Sequence, residues 1–143
     1  MRWAGGGLLV SARLHPVPAT SLDEYWPVVR DQIADATKRS GGRFSASVIY
    51  DALSSRAMQL WLAVNGSVQA LAVTEILTYG TGLKVCSIII VTGEDRNSWS
   101  PLVRGISDWA SQNGCKRIEA WARPGWAKVT GWKETHRLIE AEI

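Results

Sequence analysis

Three side chains of this 143-residue sequence could act as a general base: Glu75, Glu119 and His136. The two glutamates fall on predicted strands, and the histidine lies close to the C-terminal end. Such a group can accept a proton during a reaction when it lies in a cleft with a suitable pKa. For each one the alternative is an ordinary solvent-facing position, which is where most charged side chains lie. No Ser/His/Asp or Cys/His arrangement in the sequence indicates nucleophilic catalysis.

The cysteines and histidines do not predict a metal site. Cys86 and Cys115 lie in apolar stretches without a CxxC spacing, and His15 and His136 lie at opposite ends of the chain. Isolated cysteines in apolar surroundings usually behave as small core residues. We therefore expect two free thiols in a reducing compartment and no zinc.

Residues 92–99, TGEDRNSW, connect the most apolar run of the chain, KVCSIIIV, to a predicted helix. A loop from a strand into a helix often holds a phosphate, because the first N–H groups of the helix lack helical partners and the helix dipole is positive there. This loop carries Glu94 and Asp95, which would repel an anion, and the bulky Trp99. Its position favours an anionic ligand, whereas its side chains disfavour one.

Two helices are predicted in the first part of the chain. Ser21 can cap the first, with Glu24 completing a capping box, and Pro27 should kink or delay its first turn. Ser47 can cap a shorter helix, VIYDALSSR. Spacings of three and four place a core-facing stripe along the first helix; it consists of Leu22, Trp26, Val29, Ile33 and Ala36.

The middle of the chain predicts strands. AMQLWLAV and SVQALAVTEILTY flank Asn65-Gly66, which is the strongest short pattern for a β-hairpin. The turn GTG at 80–82 leads into LKVCSIIIV, whose continuous apolar composition predicts a central strand buried on both faces. LLVSARLHPV predicts a first strand, and CKRIEAWA and ETHRLIEAEI predict two more, separated by a short helix or turn in RPGWAKVTGW.

From Ser98 onward the apolar period is helical, with Pro101 in the first turn and Gly114 at the C-terminal cap. The predicted order is therefore β-α-α-β-β-β-α-β-α-β, an α/β protein with a mixed (α+β) sheet flanked by helices. Residues 83–122 should form a strand–helix–strand unit with parallel strands. We expect one domain over residues 1–143, with residues 1–7 flexible. The apolar face of the third helix is predicted to contain Trp99, Leu102, Val103, Ile106, Trp109 and Ala110.

Composition narrows the classes of function. The net charge is +3, and the basic residues are scattered instead of clustered as in most nucleic-acid-binding proteins, so such a role ranks last. No stretch approaches the roughly 18 apolar residues of a membrane span. The first residues make a poor signal peptide, and we expect a cytoplasmic location. The chain is rich in tryptophan, with eight, which we expect mainly to pack in the core.

The order of elements resembles the GNAT superfamily of acyl-CoA-dependent N-acyltransferases over nearly the whole chain. The most specific segment is SWSPLVRGISDWASQNGCKRIEAWARPGW, which is similar to the third helix and fifth strand of that family. Its portion GCKRIEAWARPGW also resembles GNAT-like proteins of tailed phages and prophages, some of which are virion components.

In enzymes of this superfamily, the loop before the third helix follows Gln/Arg-x-x-Gly-x-Gly/Ala and holds the CoA pyrophosphate with backbone N–H groups. Aligned through Trp109-Ala110, this sequence places Glu94, Asn97 and Trp99 at the three defining positions, and all three depart from the pattern. The resemblance implies a degenerate CoA loop. If CoA binds, it implies contacts from Ile90, Val91 and Gly93 to the pantetheine arm and from Arg96, Asn97 and Ser98 to the pyrophosphate.

Two main hypotheses follow. In the first, the chain is a phage-type GNAT-like protein with little or no catalysis and no cofactor, acting as a structural or interaction component. Its partners would be virion proteins or further copies of itself, and it would be located in the host cytoplasm or the virion. In the second, it is an acetyl-CoA-dependent N-acetyltransferase for an unknown amine, with Glu75, Glu119 or His136 as the base. The general-acid tyrosine that the resemblance leads one to seek is missing from RPGWAKVTGW.

Overall fold

The computed structural model describes residues 12–93, 96–122 and 125–143. Their strands form one five-stranded sheet in the order β1-β2-β3-β4-β5, antiparallel except for the parallel pair β4–β5. A short 3-10 turn, Ala19–Ser21, precedes the first helix. The elements are β1 Arg13–Val17, α1 Leu22–Thr37, α2 Ala46–Ser54, β2 Gln59–Asn65, β3 Ser67–Thr78, β4 Lys84–Gly93, α3 Arg96–Gln112, β5 Arg117–Ala120 and α4 Gly125–Thr130.

This architecture confirms the predicted mixed α/β sheet and the order of elements up to α4. The final strand, predicted at ETHRLIEAEI, is absent: residues 131–143 contain no strand. A strand is stable only when a neighbouring strand satisfies its backbone hydrogen bonds and covers one face. The segment has the composition of a strand but does not pair with the sheet in this structure.

Both helix caps differ from the predictions. The side chain of Ser21 makes no capping hydrogen bond. Its own N–H donates to the carbonyl of Pro18 at 2.9 Å, and the turn leaves its backbone away from the extended conformation of a capping residue. In α2 the cap is Ser45, whose Oγ accepts from the N–H of Val48 at 3.2 Å, whereas Ser47 lies in the first turn.

The turns and the amphipathic stripes follow the sequence closely. β2 and β3 form the hairpin predicted at Asn65-Gly66, and Gly66 has a φ of 73°, in the region that favours glycine. The stripe of α1 packs on one face of the sheet, with Val29 and Ile33 fully buried. The apolar face of α3 packs on the opposite face, with Leu102 and Ile106 fully buried.

We call these two apolar regions the α1/α2 core and the α3 core. The buried residues of the α1/α2 core are Val17, Leu22, Val29, Ile33, Ile49, Leu53, Met58, Leu60, Leu62, Leu71, Val73 and Ile90. The buried residues of the α3 core are Trp61, Ala63, Ala70, Ala72, Cys86, Leu102, Ile106 and Ala110.

A polar network lies inside the α3 core. The indole Nε1–H of Trp61 donates to Thr74 Oγ1 at 2.9 Å, and that hydroxyl donates to Gln59 Oε1 at 2.8 Å. Trp61 is 4% exposed and Thr74 is fully buried, so water cannot replace the bond between these two side chains. The ring of Trp61 also packs edge-to-face on Trp109, with centroids 5.1 Å apart. This tryptophan pair confirms a packing role for two of the eight indoles.

We predict that Thr74→Val destabilises the protein by about 1–3 kcal/mol, because it leaves the buried N–H of Trp61 without an acceptor. Thr74→Ser keeps the hydroxyl and is the matched control, so its free energy of unfolding should fall by less. Chemical denaturation monitored by tryptophan fluorescence measures both variants. Equal stability of the valine and wild-type proteins would show that this hydrogen bond does not contribute.

Candidate functional site

The site lies where β4 and β5 part. Their parallel pairing runs from Val85 opposite Arg117 to Ile88 opposite Ala120, and β5 ends there. β4 continues to Gly93, while β3 still pairs along its other edge. Over residues 89–93, the edge of β4 that faces away from β3 is therefore unpaired within the described part of the chain. Its backbone groups on that edge can accept an extended ligand as if it were another strand.

A β-bulge marks the same point. Val73 pairs with Ile90 and Thr74 pairs with Ile88, so Ile89 is an extra residue in β4. Ile89 and Ile90 both pack against the α1/α2 core, although consecutive residues of a regular strand point to opposite faces. A bulge bends its strand and redirects the following side chains. Ile89 thus contributes to turning the end of β4 away from β5.

The helix that follows β4 begins earlier than predicted. α3 starts at Arg96, whereas the sequence pattern placed its start at Ser98. Arg96, Asn97 and Ser98 therefore belong to its first turn, where backbone N–H groups have no helical acceptor. The predictions for Glu94 and Asp95 lie outside the described residues, as do those for the side chains of residues 96–99.

The strand residues proposed to hold a pantetheine arm are placed at this open edge. Ile90 is 7% exposed, so its side chain is committed to the α1/α2 core and only its backbone can serve a ligand. Val91 is half-buried against the α3 core, and Gly93 is the exposed end of the strand. The structure brings Ile90, Val91 and Gly93 into one continuous edge that leads directly toward the start of α3.

A polar cavity adjoins the end of β4, and the sequence did not predict it. Thr92 Oγ1 donates to Gln32 Oε1 of α1 at 3.1 Å, which ties the end of the strand to that helix. A cavity of about 250 Å³ lies here, and its polar lining includes Asp35 and Arg39 of α1. Sequence reasoning missed it because the polar face of an amphipathic helix gives no indication of which element it approaches.

Two of the three predicted base candidates lie in one row across the sheet. Glu75 of β3 pairs with Ser87 of β4, and Ser87 pairs with Glu119 of β5. All three point to the α1/α2 face, since their neighbours Thr74, Cys86 and Ile118 belong to or contact the opposite core. Strands lie about 4.8 Å apart, so the backbones of the two glutamates are about 10 Å apart. Glu75 is half-buried, Ser87 is buried and Glu119 is exposed.

His136 lies apart from this row along the chain, in the segment of residues 131–143. It is exposed, and its Nδ1 lies 2.9 Å from the hydroxyl of Thr135. The same segment is held at Glu140, whose carboxylate forms an ion pair with Arg43 at 3.1 Å in the connection between α1 and α2. The structure thus groups Glu75 with Glu119 and provides no such grouping for His136.

The thiols match the prediction of free cysteines. Burial, together with a smaller contribution from the nearby Cys115, raises the pKa of Cys86 to about 12. A thiol with this pKa stays protonated at neutral pH and is a poor nucleophile or metal ligand. Among the described residues, no group of three His, Cys, Asp or Glu side chains could hold a metal ion. Over the same residues, no helix is long and apolar enough to cross a membrane.

Comparison with solved structures identifies the architecture. The aminoglycoside acetyltransferase HMB0005, from an uncultured soil metagenomic sample, superposes with a TM-score of 0.70 and 13% identity, over 94% of this chain and 98% of that one. A second metagenomic aminoglycoside acetyltransferase, meta-AAC0020, gives 0.65 and 11% over 92% and 94%. The ribosomal-protein-alanine N-acetyltransferase of Brucella melitensis biovar Abortus 2308 gives 0.59 and 15% over 90% and 99%.

No protein-family model matches the sequence, and no curated protein matches it closely enough to be recognised as a relative. The structural likenesses have identities far below those of close homologues, so they establish a shared fold and nothing about substrate. They confirm the GNAT fold that the order of elements and the SWSPLVRGISDWASQNGCKRIEAWARPGW segment indicated.

Proposed function

We propose that this GNAT-fold chain is a phage-type interaction or structural component, associated with a virion, that binds protein subunits instead of transferring acetyl groups. The observation that carries the proposal is the distribution of exposed apolar side chains. Trp121 is 71% exposed and Ile139 is 90% exposed. The C-terminal part of the chain also exposes Val129, Leu138 and Ile143. Five of the eight exposed large apolar side chains of the described residues thus lie in residues 121–143. Exposed apolar groups that lie together are typical of surfaces that bind another protein.

The chemistry of the cofactor loop supports the same proposal. Glu94 and Asp95 would face a pyrophosphate with like charge, and a unit pair about 4 Å apart costs roughly 1 kcal/mol even in water. Part of that repulsion could be offset by Arg96. Trp99 has a large side chain at the position where the aligned CoA loops have glycine or alanine. The balance disfavours CoA at this helix start.

The second candidate function is acetyl-CoA-dependent N-acetylation of an amine, and a different observation favours it. The unpaired edge of β4 over residues 89–93 leads to the N-terminus of α3. The strand edge and the helix start together form a backbone path for an extended ligand with an anionic end. The row of Glu75, Ser87 and Glu119 lies close to the point where that path begins. On this hypothesis one of the glutamates accepts the proton of the attacking amine.

Acetyl-CoA binding separates the two functions. We expect millimolar acetyl-CoA to leave the melting temperature unchanged, because the loop side chains oppose the pyrophosphate. A ligand present at about 100 times its Kd would add about 2.7 kcal/mol of stability, which is easily measured as a rise of several degrees. Differential scanning fluorimetry, with sodium sulfate at equal ionic strength as the control for general anion effects, provides the measurement. A rise with acetyl-CoA, together with acetylation of an added amine, would establish the second function.

A further inference from the structure

The outer edge of β5 has no neighbouring strand among the described residues, and the C-terminal segment, residues 134–143, has the sequence pattern of a strand. Within the described residues, β5 pairs with β4 along one edge only, so its outer N–H and C=O groups face away from the sheet. Such an edge readily accepts another strand. The half-buried side chains of Cys115 and Ile118 contact the α3 core at this edge, where no further strand covers them.

The C-terminal segment has the period of a strand that covers an apolar surface on one face. Ile139, Ala141 and Ile143 alternate on one side, while Glu140 and Glu142 alternate on the other. In this structure the segment makes no ladder, and Ile139 is 90% exposed. An exposed strand-forming segment gains both hydrogen bonds and apolar burial when it adds to a sheet edge.

The C-terminal segment and the β5 edge carry opposite net charges. Residues 134–143 carry three glutamates and one arginine, a net charge of −2 with His136 neutral. Residues 115–120 carry Lys116 and Arg117 against Glu119, a net charge of +1. Strands of opposite net charge attract each other during association.

Within one chain, the C-terminal segment contacts the α1/α2 side of the sheet and not the β5 edge. Glu140 is paired with Arg43 between α1 and α2, the helices that cover the α1/α2 core. Ile118 instead contacts the core under α3. The β5 edge is therefore not covered by its own segment.

We propose that residues 134–143 of one copy add as a strand to the β5 edge of a second copy, and that the second copy returns the same contact. The reciprocal exchange forms a closed two-fold dimer, in which Ile139 and Ile143 lie beside the partner's Ile118. The inference rests on the proposed function, since it specifies a second copy of the chain as the protein that the exposed C-terminal surface binds.

Sedimentation velocity of the full chain from micromolar to submillimolar concentration provides the test. We expect a species of about twice the 15.7 kDa of one chain. Ile139→Lys should weaken the dimer at least tenfold, because a lysine would be buried against the partner's apolar edge. Val48→Lys makes the same change at an exposed apolar residue of α2, outside the segment, and should leave the dimer intact. Circular dichroism verifies that both variants are folded.

A synthetic peptide of residues 134–143, added to the full chain, should compete for the β5 edge and produce monomers. The same peptide carrying Ile139→Lys should not. A wild-type chain that stays monomeric, or a dimer that resists both Ile139→Lys and the peptide, would overturn the inference. This test and the acetyl-CoA test can fail separately. A monomer whose melting temperature does not change with acetyl-CoA would contradict the strand exchange but not the proposed interaction role. A dimer that acetyl-CoA stabilises would contradict the interaction role but not the strand exchange.

Discussion

The Ile106→Ala variant is expected to lower the free energy of unfolding by about 2–5 kcal/mol, more than the loss expected for Thr74→Val. Ile106 is fully buried where α3 packs on the sheet. The substitution removes three carbons and leaves a cavity that rigid neighbours such as the Trp61–Trp109 pair can fill only in part. Because domains are stable by only about 5–15 kcal/mol, the melting temperature should fall by roughly 5–15 °C.

Arg104→Ala is the matched control for this variant. Arg104 lies two residues away in the same helix and is exposed, so its substitution should change stability by no more than about 0.5 kcal/mol. Urea denaturation followed by circular dichroism compares the two variants. If both lose equal stability, the effect arises from helix propensity or the unfolded state, and the packing of Ile106 between α3 and the sheet would be contradicted.

Restoring the aligned loop should produce the largest change in ligand binding. A chain carrying Glu94→Arg, Asn97→Gly and Trp99→Gly is expected to bind CoA at least tenfold more tightly than the wild type. Reversing one charge turns a repulsion of about 1 kcal/mol into an attraction of similar size, and tenfold in affinity corresponds to about 1.4 kcal/mol. The two glycines remove side chains from the first turn of α3, where a phosphate must approach the backbone.

Isothermal titration with CoA measures this gain, and two controls separate its sources. Glu94→Gln removes only the charge and should recover part of the affinity. Glu119→Arg adds a cation on β5, outside the aligned loop, and should recover less if the effect depends on the loop itself. Each glycine costs about 1 kcal/mol of helix stability, so the triple variant must first be shown to fold. A folded triple variant without a gain in affinity would contradict the alignment through Trp109-Ala110.

Local patterns predicted the elements whose formation depends on neighbouring residues. The hairpin at Asn65-Gly66 follows from a glycine that can adopt positive φ between two apolar runs. The faces of α1 and α3 follow from the helical period, because one face of each helix must be buried. Ser21 precedes α1 as predicted, but the 3-10 turn before it holds its backbone away from the extended conformation of a capping residue. At α2 two serines lie near the helix start, and Ser45 instead of Ser47 has that extended backbone.

The sequence by itself determined the order of elements through α4 and the faces of the helices, and it supplied the alignment on which the proposed departures at Glu94, Asn97 and Trp99 from the CoA-binding pattern rest. These depend on residue type and short spacing. Only the tertiary structure placed Glu75, Ser87 and Glu119 in one row, since strand register joins residues that lie far apart in the chain. Likewise, only the tertiary structure left residues 134–143 without a partner strand among the described residues. Strand propensity is local, but a strand also needs a sheet edge, and the position of that edge depends on how the whole chain packs.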